Sequence, residues 1–220
     1  MGLDILYGIS STYNKMKKNN PSIIPLFPEA VLYLQNINVD SNKVINYLKN
    51  LEFHVTKSTV EKRAYSYQSK NLNVLKDLKF LKKEINKHVS YYLHNIFFYK
   101  MNYKFTTSWA TKTDFKGFGQ KHYHSNTFLS GVYYPIGNKN FKIKFYKRNL
   151  STWSIEPKEY NEFNANELTF HITTDNTLIL FPNHLQHSIE NNENNMERYS
   201  ISFNINPKGL IGEGDSGIVF

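Results

Sequence analysis

Cysteine is absent from the 220 residues. Disulfides, thiolate nucleophiles, iron–sulfur clusters and thiolate zinc sites are therefore excluded. A chain of this length buries roughly 70% of its unfolded surface, so it needs no covalent staples. It suffices for one substantial domain and is short for two. No apolar run approaches about 18 residues, so no transmembrane helix is expected. Met1 to Tyr7 lack a basic region followed by a long apolar core, so no secretory signal is expected and the chain reads as cytoplasmic. Acidic residues are few beside basic ones, 18 against 27, for a net charge of +9. Such a balance favours nucleic acid, anionic surfaces or acidic ligands. The lysines are scattered, however, and the lack of a compact basic cluster leaves nucleic acid weakly supported.

Hydrophobic periodicity divides the chain. Residues 1–22 are polar and irregular and read as an arm. A single domain is expected over 23–206, with a helical and extended part at 23–100 and a β core at 101–206; residues 207–220 read as a tail. The segment 23–34 is apolar and punctuated by prolines, as an edge strand would be. Asp40 or Ser41 can cap a helix with Val44, Ile45, Leu48 and Leu51 on one face. Residues 53–70 look loop-rich. From Leu72 to about Phe98, Leu75, Leu78, Leu81, Ile85, Val89, Tyr92 and Ile96 recur at helical spacing, which predicts one long amphipathic helix. After residue 100 the period becomes that of strands, at 102–110, 127–135, 141–147, 167–173, 177–181, 186–190 and 197–206. Helices followed by about seven strands predict a β-sandwich or jelly roll with a long helix packed on one sheet. The segment 148–166, with Trp153 and Phe163, is long enough to be a lid.

Candidate chemistry sits in the β part. His122 and His124 are two residues apart, so on a strand they point the same way, roughly 6.6 Å apart along the chain. His187 follows the apolar strand Leu178–Phe181 and the turn at Pro182, and is the best third ligand; His184 competes with it. Three ligands on one face leave positions open for a chelating cosubstrate and dioxygen, the arrangement of non-haem iron oxygenases. That arrangement more often uses two histidines and a carboxylate, and His124 stands where the carboxylate is expected. Arg198 can hold a carboxylate through two parallel hydrogen bonds. A hairpin pairing Glu190 with Asn195 puts His187 opposite Arg198, roughly 5 Å away between Cβ atoms, and Ser200 on the same face. A surface ion pair of Arg198 with Glu193 or Glu197 is the alternative.

These motifs resemble the double-stranded β-helix 2-oxoglutarate/iron(II) oxygenases, in particular a small branch found in bacteria and marine phages. The matching residues are His122, His124, Ser130-Gly131, Tyr133-Tyr134, Phe181-Pro182, His187 and Arg198 through Asn204. Trp109 and the segment Pro25 to Pro28 also fit. Ser125 stands where proline is common, and Asn176 where glycine is usual. The resemblance implies a double-stranded β-helix (jelly roll), Fe(II) at His122, His124 and His187, and 2-oxoglutarate at Arg198 and Ser200, with the Tyr134 hydroxyl helping. It implies a dioxygenase that consumes dioxygen and hydroxylates a C–H bond of a peptide, nucleobase or small metabolite, in a host cytoplasm if phage-encoded. No catalytic residue beyond the metal ligands is expected. Two other readings share the residues: a three-histidine oxygenase of cupin type without 2-oxoglutarate, and a non-enzymatic basic binding protein on the same fold.

Overall fold

The structure, a computed structural model, describes residues 28–57, 64–148, 153 and 155–220, without the side chains of residues 57, 64 and 65. The arm expected at 1–22, the segment 23–27 and most of the first turn of the expected lid at 148–166 lie outside the described residues.

The elements, in chain order, are β1 (Leu32–Leu34), α1 (Ser41–Lys49), β2 (Phe53–Lys57), β3 (Ala64–Ser69), α2 (Val74–Asp77), α3 (Lys79–Tyr91), a π-type turn (Tyr92–Ile96), β4 (Asn102–Thr113), β5 (Gly119–His122), β6 (Leu129–Tyr134), β7 (Lys142–Tyr146), β8 (Glu167–His171), β9 (Thr177–Pro182), β10 (His187–Ile189), β11 (Arg198–Lys208), β12 (Leu210–Ile211), a 3-10 turn (Gly214–Ser216) and β13 (Ile218–Val219). The major sheet has strand order β1-β9-β6-β11-β4-β3-β2, and the minor sheet β5-β10-β7-β8. The pairings within both are antiparallel. This is the expected jelly roll, mainly β, with helices on one sheet.

Alternation along the central strands explains the layers. Strand β6 and most of β9 are buried on both faces. Tyr133, Leu178 and Leu180 pack with Leu81, Ile85 and Val89 of α3 and with Leu48 of α1. Their neighbours Val132, Tyr134, Ile179 and Phe181 point the other way, into a second core with Phe141, Ile143 and Phe145. A sheet covered on both faces reads as continuous apolar sequence, which is why Leu178–Phe181 carries no polar residue. Gly131 of β6 stands in register between Phe203 of β11 and Leu180 of β9: a Cβ there would meet the Phe203 ring at 2.3 Å and Leu180 at 2.7 Å. Only glycine lets those side chains close over the strand.

Three expectations change. The helix expected over 72–98 is broken at Leu78 (φ −89°, ψ 60°) into α2 and α3. The backbone N–H of Leu75 donates to the buried Ser108 Oγ (2.9 Å), docking the short helix onto β4. Residues 53–70 form a hairpin that extends the major sheet beyond β4. Finally, β10 and β11 do not pair: β10 lies between β5 and β7, and β11 between β4 and β6. The connection after Ile189 switches sheets, so His187 and Arg198 face each other across the barrel instead of along a hairpin. Asp40 caps α1 as expected, accepting from the Lys43 N–H (3.2 Å). Asn176 has φ 53°, which explains the glycine usual there. Its side chain accepts from the Tyr133 hydroxyl and donates to the Val39 carbonyl, 2.9 Å. No helix among the described residues is long and apolar enough to cross a membrane.

Candidate metal centre

The mouth of the barrel is a cavity of about 600 Å³ between the two sheets. His122 ends β5 and pairs in register with His187, the first residue of β10. Their ring centroids are 4.3 Å apart. His124 has already left the strand, contrary to the simple i, i+2 picture. Its backbone is fixed by a reciprocal pair: its N–H donates to the Asn183 carbonyl, and Asn183 Nδ2 donates to its carbonyl, both at 3.2 Å. The turn after β9 thereby swings the third imidazole back, 5.3 Å from His122 and 5.2 Å from His187 between centroids. One ring nitrogen from each lies within 4.8 Å of the others, a spacing that a single metal ion can bridge.

Hydrogen bonding selects the tautomers. His122 Nδ1 faces the Gln120 carbonyl (2.7 Å), His187 Nδ1 the Leu185 carbonyl (3.1 Å) and His124 Nδ1 the Asn204 Oδ1 (2.8 Å). Each partner is an acceptor, so each Nδ1 carries the proton and each Nε2 keeps its lone pair, as metal-ligating histidines require. The Asn204 amide is itself oriented, because its Nδ2 donates to Thr107 Oγ1 (3.1 Å) and its Oδ1 accepts from Ser130 Oγ (3.2 Å). Burial, and then the neighbouring His122, holds His187 neutral by lowering its pKa to about 3. Burial also lowers that of His124, against the opposing Asn204 bond.

Arg198 enters the same cavity from β11 and is 2% exposed. Burial lowers its pKa to about 10, which leaves it protonated at neutral pH. Nη1 donates to the Glu190 carbonyl (3.2 Å), and the ring of Phe141 lies 5.5 Å from Cζ. Nη2 is buried and has no partner among the described residues, and the same holds for the Tyr134 hydroxyl. Burial pushes that hydroxyl up to about 12, so it is a donor. An unmet buried donor costs about 1–3 kcal/mol and a charged one more, so a cationic fork beside a free hydroxyl is suited to a ligand carboxylate. Ser200, two residues along β11, lines the same cavity. The surface ion pair considered for Arg198 does not form; Glu197 instead meets Lys112 (3.1 Å) and the Tyr199 hydroxyl (2.7 Å).

Residues 107–204 match the family described as "Putative 2OG-Fe(II) oxygenase". The match is confined to the β core, which is similar to the 2-oxoglutarate/iron(II) oxygenases. No curated protein matches the chain in sequence. Among solved structures, the chain is similar in fold to the epimerase SnoN in complex with Fe3+, alpha-ketoglutarate and nogalamycin RO, at 11% identity and TM-score 0.58, covering 82% of this chain and 80% of that one. It is also similar to a prolyl hydroxylase from Trichoplax adhaerens in complex with a hypoxia-inducible-factor peptide fragment, at 13% identity and TM-score 0.54, covering 80% and 82%. HygX from Streptomyces hygroscopicus, with nickel, 2-oxoglutarate and hygromycin B bound, aligns at 8% identity and TM-score 0.55, covering 81% and 83%.

The β core brings together all six expected site residues: His122, His124, His187, Arg198, Ser200 and Tyr134 line one cavity. The competing His184 lies apart from the imidazole cluster and pairs with Glu29 Oε1 at 2.8 Å. Asn204 and Asn183 were missed as positioning residues. The motif contained Asn204, but only the strand pairing shows that it reaches His124.

Proposed function

We propose that this chain is an Fe(II)/2-oxoglutarate-dependent dioxygenase that hydroxylates a C–H bond of its substrate. The carrying observation is the coincidence, in one cavity, of three imidazoles with Nε2 free and a buried cation–hydroxyl pair with unmet donors. His122, His124 and His187 would hold iron through Nε2. Arg198 would bind the far carboxylate of 2-oxoglutarate, with the Tyr134 and Ser200 hydroxyls adding donors. When bound, iron and 2-oxoglutarate supply oxidation by dioxygen, yielding succinate, CO2 and hydroxylated substrate.

The chain supplies position and dryness. Val132, Ile143, Phe181 and Ile189 give the cavity apolar lining, and the Phe141 ring lies against Arg198. Excluding water there strengthens the fork's grip on a carboxylate. The three Nδ1–H bonds keep the imidazoles from turning, so the metal meets a preformed face. A cupin-type oxygenase without 2-oxoglutarate would leave Arg198 Nη2 and the Tyr134 hydroxyl unmet, and for that reason we prefer the 2-oxoglutarate reading. A cytoplasmic setting, where Fe(II) stays reduced, suits it.

The test is stoichiometric. Protein loaded anaerobically with Fe(II) and 2-oxoglutarate and then exposed to air should form succinate, more of it in the presence of the right substrate. Iron binding without succinate formation or 2-oxoglutarate binding contradicts the proposal and favours the cupin reading.

A further inference from the structure

The cavity has two unlike walls. One part of its lining, Val132, Ile143, Phe181 and Ile189, is apolar. The outer wall is a sheet face built by the β2–β3 hairpin, β4 and β11. Cross-strand register places Thr56 opposite Ser66, Gln68 opposite Thr111, and Trp109 opposite Ser202. All six line the cavity. The five hydroxyl and amide side chains make no hydrogen bond to another described residue. No carboxylate lines the cavity among the described residues, and its lysine, Lys121, lies 3.9 Å over the Tyr146 ring. In a chain of charge +9 the described residues of this wall are therefore neutral and rich in free donors and acceptors.

Resting on the oxygenase reading, we propose that the substrate is an uncharged, hydroxyl-rich small molecule of the saccharide class. It lies across β4 and β3 with one ring face on the Trp109 indole. An apolar substrate would dry Thr56, Ser66, Gln68, Thr111 and Ser202 without replacing their bonds to water, which is unfavourable. Among the described lining residues, a nucleotide or sugar phosphate would meet one cation already held over an aromatic ring, Lys121, once Arg198 holds the cosubstrate. An extended peptide binds by pairing with a strand edge, whereas β3 and β4 are paired on both sides and present their faces. A cavity of about 600 Å³ takes a cosubstrate and one or two sugar rings. Hydroxyl pairing of this kind gives selectivity, because a ligand lacking the partner leaves the site's own groups unmet.

The chain has two tryptophans, so Trp153→Phe leaves Trp109 as the sole indole and a direct reporter of binding. Fe(II)- and 2-oxoglutarate-loaded protein would be titrated anaerobically, following Trp109 fluorescence. The probes are neutral methyl mono- and disaccharides, their uronic acid and phosphate counterparts, neutral tripeptides and an apolar alcohol series. At least one neutral glycoside should saturate the signal, with its charged counterpart about tenfold weaker or worse. Gln68→Leu with Thr111→Val, or Ser202→Ala alone if the double variant fails to fold, should weaken the glycoside about tenfold and leave 2-oxoglutarate affinity unchanged. A response confined to peptides, phosphates or apolar alcohols overturns the assignment, and so does silence across the neutral panel in protein that still binds 2-oxoglutarate. Glycoside binding in protein that does not bind 2-oxoglutarate would support this wall and overturn the oxygenase reading instead.

Discussion

Asn204 accepts from His124 and Ser130 and donates to Thr107, so its carboxamide has one orientation and His124 one tautomer. Removing such an outer partner typically costs 10–100-fold in metal affinity. Asn204→Leu should therefore weaken Fe(II) binding by about that factor, while Asn204→Asp, which still accepts, should retain it. A competitive chelator titration measures this; equal affinity in the leucine variant would show that Asn204 does not orient the ligand. His124→Ala should weaken iron binding far more than His184→Ala, whose side chain meets Glu29 outside the imidazole cluster. The reverse ordering would require a different ligand set. His187 and Arg198 were legible in the sequence because each stands beside a strand whose apolar pattern is readable, and His122 because of its two-residue spacing from His124. The part played by Asn204 was not legible, since it depends on which loop lies over the Asn204 end of β11.

At the scale of elements, the strands after residue 100 were readable from period-2 alternation and from the doubly buried run at β9. The β2–β3 hairpin was not. Its cavity face carries Thr56, Ser66 and Gln68, and even Val55 on the other face is 41% exposed, so hydrophobic contrast is weak. The break at Leu78 was hidden because α2 and α3 bury Leu75, Leu78 and Leu81 in one core, so the apolar spacing runs through it. The β10–β11 hairpin failed as an expectation because a short turn between strands looks alike whether the chain stays in one sheet or changes sheets. Gly131 gives a direct test of the central packing. Gly131→Ala forces a methyl group against Phe203 and Leu180, and overpacking of this kind costs about 1–3 kcal/mol. Denaturant unfolding should show a lowered midpoint with the slope unchanged; an unchanged midpoint would mean that the strands are not so closely apposed.

In the molecule as a whole, a cluster of three imidazoles and a buried cationic anchor share the mouth of a barrel. Ligands that bind only this folded arrangement stabilise it by mass action, about 2.7 kcal/mol at a hundred times Kd. Iron and 2-oxoglutarate together should therefore raise the melting temperature above that with iron alone, and a His122→Ala, His187→Ala double variant should show neither increment. The most direct test of the central claim is an anaerobic titration of iron-loaded protein with 2-oxoglutarate, following the visible charge-transfer band of the chelate, in wild type, Arg198→Lys and Arg198→Ala. Removing one partner of a buried charge pair costs on the order of 2–5 kcal/mol, and lysine cannot reproduce the fork. Arg198→Ala should raise Kd for 2-oxoglutarate at least tens-fold with iron affinity nearly intact, and Arg198→Lys should fall between. An alanine variant that binds the keto acid as tightly as wild type would contradict that claim.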